Sequence, residues 1–258
     1  AGLPEAAAFA SGEWGYVHSE QIGSAVDGPG IRLVIWTTGC EFRCLYCHNP
    51  DTWKLKHGRP AGADDVIGEI RRYRRYLQLA AGGVTLSGGE PLLQDRFVAR
   101  VLRGAHELGV HTALDTNGFL GDRLSDRELD DVDLVLLDLK AGSERTHLRL
   151  TGQSLAPVQA FARRLARRRR PAWVRYVLVP GVTDAPDEIE RAASFAATLG
   201  NVERVEVLPF HQLGRDKWRR LGLPYRLDDV PSPSADATAR ARAAFAVHGL
   251  PVAQGGPA

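Results

Sequence analysis

The sequence has no methionine and only three cysteines, and aromatic residues make up only 7% of its 258 positions. No apolar run approaches the roughly 20 residues that a membrane-spanning helix needs, so no membrane association is expected. The net charge of +2 is too small to indicate a nucleic-acid partner. The lack of methionine has no evident physical reason. What remains is a globular chain of ordinary composition, 44% apolar and 25% charged.

The start of the chain, AGLPEAAAFASGEWG, is rich in small residues. It has no basic stretch followed by an apolar one, as a secretion signal would have. We expect residues 1–15 to form a flexible extension and residues 16–258 to form a single domain. An odd number of closely spaced cysteines argues against a disulfide framework and favours reduced thiols in the cytoplasm.

All three cysteines lie within residues 39–48, GCEFRCLYCH, with the spacing C-x3-C-x2-C. Thiolates as close as those of Cys40, Cys44 and Cys47 can hold one soft metal centre. A [4Fe-4S] cluster normally takes four thiolates, so three would leave one iron open to a small molecule. Spacing alone leaves two alternatives, which are inert thiols and structural zinc with His48 as fourth ligand. His48 directly follows Cys47, which is outside the usual zinc spacings.

Strand-like and helical patterns alternate along the chain. The strand-like runs are residues 31–38, 84–86, 111–114, 134–139, 173–179 and 205–208, and the helical patterns are residues 63–79, 92–108, 161–170 and 189–199. This alternation predicts parallel strands joined by right-handed crossovers. Polar motifs follow several of the strands, and in α/β barrels the C-terminal ends of the strands carry the active site. We therefore predict one site at that end.

Two of these motifs suggest chemistry. Residues 87–91, SGGEP, contain two glycines that would let the backbone approach a ligand closely, although by themselves they fit a tight strand-to-helix turn better. Asp138 ends an apolar strand, where a carboxylate is costly unless it is paired or ligated. The arginine-rich residues 163–170 predict a solvated helix face rather than a nucleic-acid patch.

The cysteine motif, with Tyr46 before the last cysteine, resembles the C-x3-C-x-aromatic-C signature of the radical S-adenosylmethionine (SAM) superfamily. Residues 27–32, DGPGIR, and residues 46–49, YCHN, resemble a narrower family, the activating enzymes of glycyl-radical enzymes. The likeness is greatest to the pyruvate formate-lyase-activating type and runs from about residue 16 to about residue 225. It implies a partial (β/α)6, TIM-like barrel with parallel strands.

The resemblance also implies a reaction. A [4Fe-4S] cluster on the three cysteines would bind SAM, cleave it reductively, and so remove a hydrogen atom from a backbone glycine of pyruvate formate-lyase or a related glycyl-radical enzyme. Flavodoxin or ferredoxin would supply the electron, and the chain would act as a monomer. No side chain is predicted to be catalytic, because the cofactors carry the chemistry. The lack of further cysteines excludes a second thiolate-held cluster and favours the pyruvate formate-lyase type.

Two other functions stay open at this point. One is a radical SAM enzyme acting on a small molecule, such as a deazapurine precursor. The other is a zinc-stabilised binding module.

Site residues are carried over by resemblance. The residues implied for SAM are Tyr46, Cys47, His48, Gly88, Gly89, Glu90, Asp138, Leu139, Lys140 and His211. Asp115, Thr116 and Asp138 would bind a monovalent cation, Na+ or K+, since such ions prefer oxygen ligands. His211 follows Phe210, where the family has tyrosine.

Two further residues are weaker candidates. Arg175, in a predicted strand, could pair with an anionic group. Asp27 could contact the partner's glycine loop, because the resemblance places residues 27–30 near the mouth of the barrel.

Overall fold

The computed structural model describes residues 4–254. Its strands are β1 Trp14–Ser24, β2 Arg32–Thr37, β3 Arg59–Gly62, β4 Gly83–Gly88, β5 His111–Thr116, β6 Leu134–Asp138, β7 Ala172–Leu178 and β8 Val202–Pro209. Its α-helices are α1 Ala6–Ala10, α2 Ala63–Leu79, α3 Asp95–Glu107, α4 Asp126–Leu129, α5 Glu144–Thr151, α6 Ala156–Arg167, α7 Pro186–Ala197, α8 Arg215–Arg220 and α9 Ala235–Val247. Short 3-10 helices lie at Pro50–Thr52, Leu55–His57, Pro91–Gln94 and Gly121–Arg123.

The strands form a mostly parallel sheet in the order β3-β1-β2-β4-β5-β6-β7-β8. The pairs β2–β4, β4–β5 and β7–β8 are parallel, whereas β1 is antiparallel to both β2 and β3. The α/β class and the six predicted strands are confirmed as β2 and β4 to β8. The antiparallel pair β1 and β3 is an addition that the prediction of parallel strands missed. Among the described residues the edge strands β3 and β8 are not paired with each other, so the sheet is not closed.

The chain divides into two compact units. Unit 1 comprises Ala1–Glu41, Thr52–Thr116 and Leu120–Leu136, and unit 2 comprises Phe42–Asp51, Asn117–Phe119 and Leu137–Ala258. A compact unit is defined by its packing, whereas a domain folds by itself. The single domain predicted over residues 16–258 therefore stays a prediction.

In unit 1, helix α3 shows how the sequence builds the core. Phe97, Val98, Val101 and Leu102 are buried at helical spacing and form one apolar stripe. The helix ends where Gly109 adopts a positive φ of 66°. The next amide, that of Val110, donates to the carbonyl of Ala105 at 3.1 Å. This left-handed glycine closure fixes the entry into β5.

In unit 2, β7 alternates buried and half-buried residues along its whole length. Tyr176 is fully buried, its ring lies 5.5 Å from that of Phe245 in α9, and its hydroxyl donates to the carbonyl of Thr183 at 2.7 Å. In α6, Arg163 and Arg167 are exposed while Leu165 is buried, as expected for a helix with one face in water.

The start of the chain contains more regular structure than its composition suggests. Residues 1–15, which the sequence predicts to be a flexible extension, include α1 and the first residues of β1. The ring of Phe9 stacks on that of Tyr16 at 4.6 Å, and Arg96 donates to the carbonyl of Ala10 at 2.9 Å. Residues 1–3 lie outside the described residues, so that part of the prediction is not addressed.

Candidate active site

In unit 1, the turn after β4 is fastened to the backbone just before Cys40. The amide of Gly89 donates to the carbonyl of Thr37 at 3.0 Å, and the amide of Glu90 donates to the carbonyl of Gly39 at 2.7 Å. A methyl group on Gly89 would lie 2.3 Å from the Gly39 oxygen and 3.2 Å from Cβ of Cys40. Glycine is therefore required here because two backbone segments touch.

Glu90 is fully buried and binds inside unit 1. Its Oε1 accepts from the amide of Leu92 at 2.9 Å and from the hydroxyl of Thr116 at 2.7 Å. The Ser87 hydroxyl donates to Asp115 at 2.7 Å. The structure thus brings the motif after β4 and the motif after β5 together, and Glu90 holds both turns in place.

Residues 25–31 lie at the other end of the same strands. Thr85, in β4, donates to the carbonyl of Asp27 at 2.6 Å, and Arg32 donates to the carbonyl of Pro29 at 3.4 Å. Arg32 is fully buried and also donates to Nδ1 of His111 at 3.1 Å. The resemblance places this loop near the mouth of the barrel, whereas in the structure its backbone is anchored at the N-terminal ends of β2 and β4. A contact between Asp27 and a partner stays a prediction.

Burial has the largest effect on the pKa of both Arg32 and His111. Burial lowers the pKa of Arg32 to about 10, partly offset by Asp133 and Asp27. Burial, and next the charge of Arg32, lower the pKa of His111. At neutral pH the guanidinium is therefore charged and the imidazole is neutral, with its Nδ1 accepting the bond.

In unit 2, Cys44 is bracketed by two backbone hydrogen bonds to the end of α5. The amide of Arg43 donates to the carbonyl of Thr151 at 2.8 Å, and the amide of Leu45 donates to the carbonyl of Leu150 at 3.0 Å. Burial raises the pKa of the Cys44 thiol to about 12, with Lys140 opposing the shift. The thiol is therefore protonated at neutral pH and must lose its proton if it binds a metal.

Cys47 and His48, also in unit 2, lie against α8 and the turn before it. The indole N–H of Trp218 donates to the carbonyl of Cys47 at 2.8 Å. A methyl group on Gly214 would lie 3.0 Å from Cα of His48. Lys217 donates to the side chain of Asn49 at 2.6 Å. Helices α5 and α8 thus hold the backbone on both sides of Tyr46, at Leu45 and at Cys47.

Tyr46, Asp138 and Lys140 come together in unit 2. Nζ of Lys140 donates to Asp138 at 2.7 Å and lies 5.5 Å from the centre of the Tyr46 ring. Burial alone would lower the pKa of Lys140, but Asp138, next Tyr46, outweigh it and raise that pKa well above its usual value. The hydroxyl of Tyr46 is buried and has no hydrogen-bond partner among residues 4–254. Burial also raises the pKa of Tyr46, so that hydroxyl stays protonated.

The other predicted residues of unit 2 also make contacts within that unit. His48 and His211 meet edge to face at 5.2 Å, and burial, then His211, lower the pKa of His48. Phe210 is buried with Val179 and Leu227, and Leu45 and Tyr46 pack against that cluster. Leu139 is buried, and its amide donates to the carbonyl of Arg175 at 2.9 Å.

The Arg175 side chain is engaged within the fold. It donates to Glu206 at 3.1 Å, and Arg204 lies 2.9 Å from the same carboxylate. The Arg175 guanidinium thus binds a carboxylate of the chain itself, and its pairing with an anionic ligand stays a prediction.

Several residues that hold this region were not predicted, among them Trp218, Lys217 and Leu150. Each contacts the predicted motifs from a distant part of the sequence, so no local pattern marks it. Among the described residues, no three side chains of histidine, cysteine, aspartate or glutamate lie close enough together to hold one metal ion. The described part of the chain also has no helix with the length and apolar character to cross a membrane.

Comparison with known proteins identifies the family. The model of the radical SAM superfamily matches residues 34–196. A curated relative from Staphylococcus epidermidis, named pyruvate formate-lyase-activating enzyme, is 42% identical over 234 residues, which cover 88% of this chain and 93% of the relative. A relative of the same name from Staphylococcus aureus is 44% identical over 230 residues, covering 86% of this chain and 92% of the relative.

Solved structures agree with this. A domain of a pyruvate-formate lyase-activating enzyme from Bacteroides vulgatus is 27% identical with a TM-score of 0.55, covering 68% of this chain and 99% of that chain. A radical SAM methyltransferase from Sphaerobacter thermophilus has a TM-score of 0.62 at 20% identity, covering 86% of this chain and 65% of that chain, and shows the shared fold alone. The chain therefore belongs to the radical SAM superfamily and, within it, to the family of pyruvate formate-lyase-activating enzymes.

Proposed function

We propose that this chain is the activating enzyme of a glycyl-radical enzyme, pyruvate formate-lyase or a close relative of it. The observation that carries the proposal is the identity of 42% with a relative of that name over 88% of this chain and 93% of the relative. The radical SAM family uses a [4Fe-4S] cluster and SAM, and we assign both cofactors to this chain.

The thiols support the assignment of the cluster. Cys40, Cys44 and Cys47 are all reduced thiols, and thiolates are the ligands that iron–sulfur clusters take. Cys44 is buried, and Cys40 and Cys47 are half-buried. We assign these three side chains as the cluster ligands.

We assign SAM binding to the two groups of motif residues described above. In unit 1 these are Gly88, Gly89 and Glu90, and the Glu90 carboxylate bonds to the amide of Leu92 and the hydroxyl of Thr116. In unit 2 they are Tyr46, His48, Asp138, Leu139, Lys140 and His211. The unpartnered hydroxyl of Tyr46 supports this assignment, because a buried polar atom is costly until it finds a hydrogen-bond partner.

When bound, the cluster and SAM supply the radical that removes a hydrogen atom from the partner's backbone glycine. The side chains of this chain bind and orient the two cofactors and exclude water from them. The cofactors carry the chemistry, so the hydrogen abstraction itself needs no protein acid or base. Lys140 stays charged at neutral pH because of Asp138 and can donate hydrogen bonds to a polar ligand.

Three narrower assignments belong to the same proposal. Asp115, Thr116 and Asp138 bind a monovalent cation, Na+ or K+. Flavodoxin or ferredoxin supplies the electron. The chain works as a monomer in the cytoplasm, where its thiols stay reduced.

The test is anaerobic mixing of the reconstituted chain with SAM, a reductant and pyruvate formate-lyase. Electron paramagnetic resonance should detect a glycyl radical that is absent when the partner's reactive glycine is replaced by alanine. SAM cleavage at the same rate with and without the partner would instead support a small-molecule substrate. A colourless protein with zinc and no acid-labile sulfide, rather than about four irons per chain, would support the binding module.

A further inference from the structure

Helix α5 links two parts of the proposed site within unit 2. Its last turn accepts the amides of Arg43 and Leu45, at 2.8 and 3.0 Å, on either side of Cys44. The carbonyls at a helix C-terminus have no partner inside the helix, so they are available for such bonds. Its first residue lies four positions after Lys140. The position of α5 thus determines where the Cys44 backbone lies.

The N-terminal end of α5 is held by one carboxylate from α7, that of Glu188. Oε1 of Glu188 accepts from the amides of Gly142 and Ser143 at 2.6 and 2.8 Å. Oε2 accepts from the hydroxyls of Ser143 and Thr146 at 2.7 and 3.1 Å. Glu188 is only 4% exposed, so these four bonds take the place of water.

The packing at this junction leaves little room for movement. A methyl group on Gly142 would lie 2.2 Å from the carbonyl oxygen of Glu188 and 2.7 Å from the amide of Ala192. Backbone of the turn and backbone of α7 are therefore in direct contact. The carboxylate and this close approach together fasten the start of α5 to α7.

We propose that Glu188 is a positioning residue for residues 43–45, acting through α5. Its carboxylate fixes the start of the helix, and the end of the helix fixes the amides that flank Cys44. This proposal rests on the proposed function only in calling Cys44 a cluster ligand. A buried carboxylate with no such role would stabilise unit 2 as a whole, without singling out residues 43–45.

The test is hydrogen exchange on the full-length chain, measured before and after reconstitution with iron and sulfide. In Glu188→Ala, the amides of Arg43 and Leu45 should exchange about tenfold faster or more, because the helix that accepts them is loosened. Glu188→Gln keeps one carbonyl acceptor and the same shape, and should show a smaller increase. The amides of β8, which α5 does not hold, should be unchanged in both variants.

A matched control is Asp133→Asn in unit 1. Asp133 also accepts a backbone amide and a hydroxyl from one residue, Thr112, at 2.8 and 3.1 Å. Its substitution should leave the exchange of Arg43 and Leu45 unchanged. A second readout is alkylation of Cys44 in the metal-free chain, which should become faster in Glu188→Ala and stay constant in Asp133→Asn.

Two results would overturn the proposal. One is unchanged exchange at Arg43 and Leu45 in a folded Glu188 variant. The other is an equal increase in the amide exchange rates of β8 and of residues 43–45, which indicates general destabilisation. If Glu188→Ala does not fold, the exchange rates of Glu188→Gln are compared with those of the wild type, and the same two results would overturn the proposal. Neither readout needs a glycyl radical, so a failure of the proposed function is detected separately.

Discussion

Cys40 in unit 1 and the pair Cys44 and Cys47 in unit 2 are held by different means. Near Cys40 the partners are backbone atoms of two glycine turns, and the contact distances allow no side chain. Near Cys44 and Cys47 the partners are two helices, whose carbonyls and one indole bind the backbone. The first arrangement depends on residues that are small, and the second depends on where remote helices lie. Substitutions should therefore affect the two regions differently.

The largest effect is expected when a thiol is removed. Cys44→Ser should abolish the glycyl radical, because a hydroxyl is a poor ligand for iron and the chain contains no further cysteine to replace it. Iron and sulfide content, together with the glycyl-radical signal, measure the result. A variant that retains a full cluster and normal radical yield would show that Cys44 is not a ligand.

A second large effect concerns the reactivity of the thiols in the metal-free chain. With a pKa of about 12, against a reference value of 9.0, Cys44 at pH 8 has roughly a thousandfold less thiolate than an unperturbed cysteine. Its alkylation should be slower in the folded chain than in denaturant by about that factor. The folded-state rate should rise about tenfold per pH unit up to about pH 12.

Mass spectrometry of the alkylated peptides checks this, with the half-buried Cys40 as the internal comparison. Equal rates for Cys40 and Cys44 would contradict the burial that the structure gives Cys44.

The glycine turn offers the next test. Gly89→Ala places a methyl group 2.3 Å from the oxygen of Gly39, so we expect the free energy of unfolding to fall by about 3 kcal/mol and the cluster to be bound poorly. The matched control is Gly68→Ala in α2, where no atom lies within 4 Å of the added methyl group. That change should instead stabilise the chain by about 0.5–1 kcal/mol. Denaturant unfolding measures both, and similar values for the two variants would refute the steric account.

The smallest effect is expected at α8. Trp218→Phe keeps an aromatic ring but removes the N–H that binds the carbonyl of Cys47, at a cost of about 1 kcal/mol in unfolding free energy. Cys47 should also be alkylated faster in the metal-free chain. Trp173→Phe is the control, since Trp173 packs against Arg204 at 4.7 Å. If Cys47 is also alkylated faster in the control, the loss of the hydrogen bond is not the cause of the faster alkylation.

The contrast between local contacts and contacts with remote helices also explains which parts of the fold the sequence could predict. Helix α2 was predicted with its observed bounds, and the six predicted strands were found, because apolar patterns mark both. The strand β3, RPAG, was missed because proline and glycine argue against a strand. It forms because β1 provides backbone partners for it.

At the site, the motif residues were carried over by resemblance to the family, and the residues that hold them were not predicted. Trp218 lies 171 positions from Cys47, and Glu188 lies 46 positions from Gly142. Such contacts depend on tertiary packing, which leaves no mark in a local stretch of sequence. The assignment of individual residues to SAM and to the cation stays a prediction.

The central claim is that this chain removes a hydrogen atom from a glycine of its partner, and isotope transfer tests it most directly. Pyruvate formate-lyase labelled with deuterated glycine should be mixed anaerobically with the reconstituted chain, SAM and reductant, and the 5′-deoxyadenosine product analysed by mass spectrometry. The account predicts product that carries deuterium, formed in step with the glycyl radical. Product without deuterium, formed at the same rate whether or not the partner is present, would contradict it.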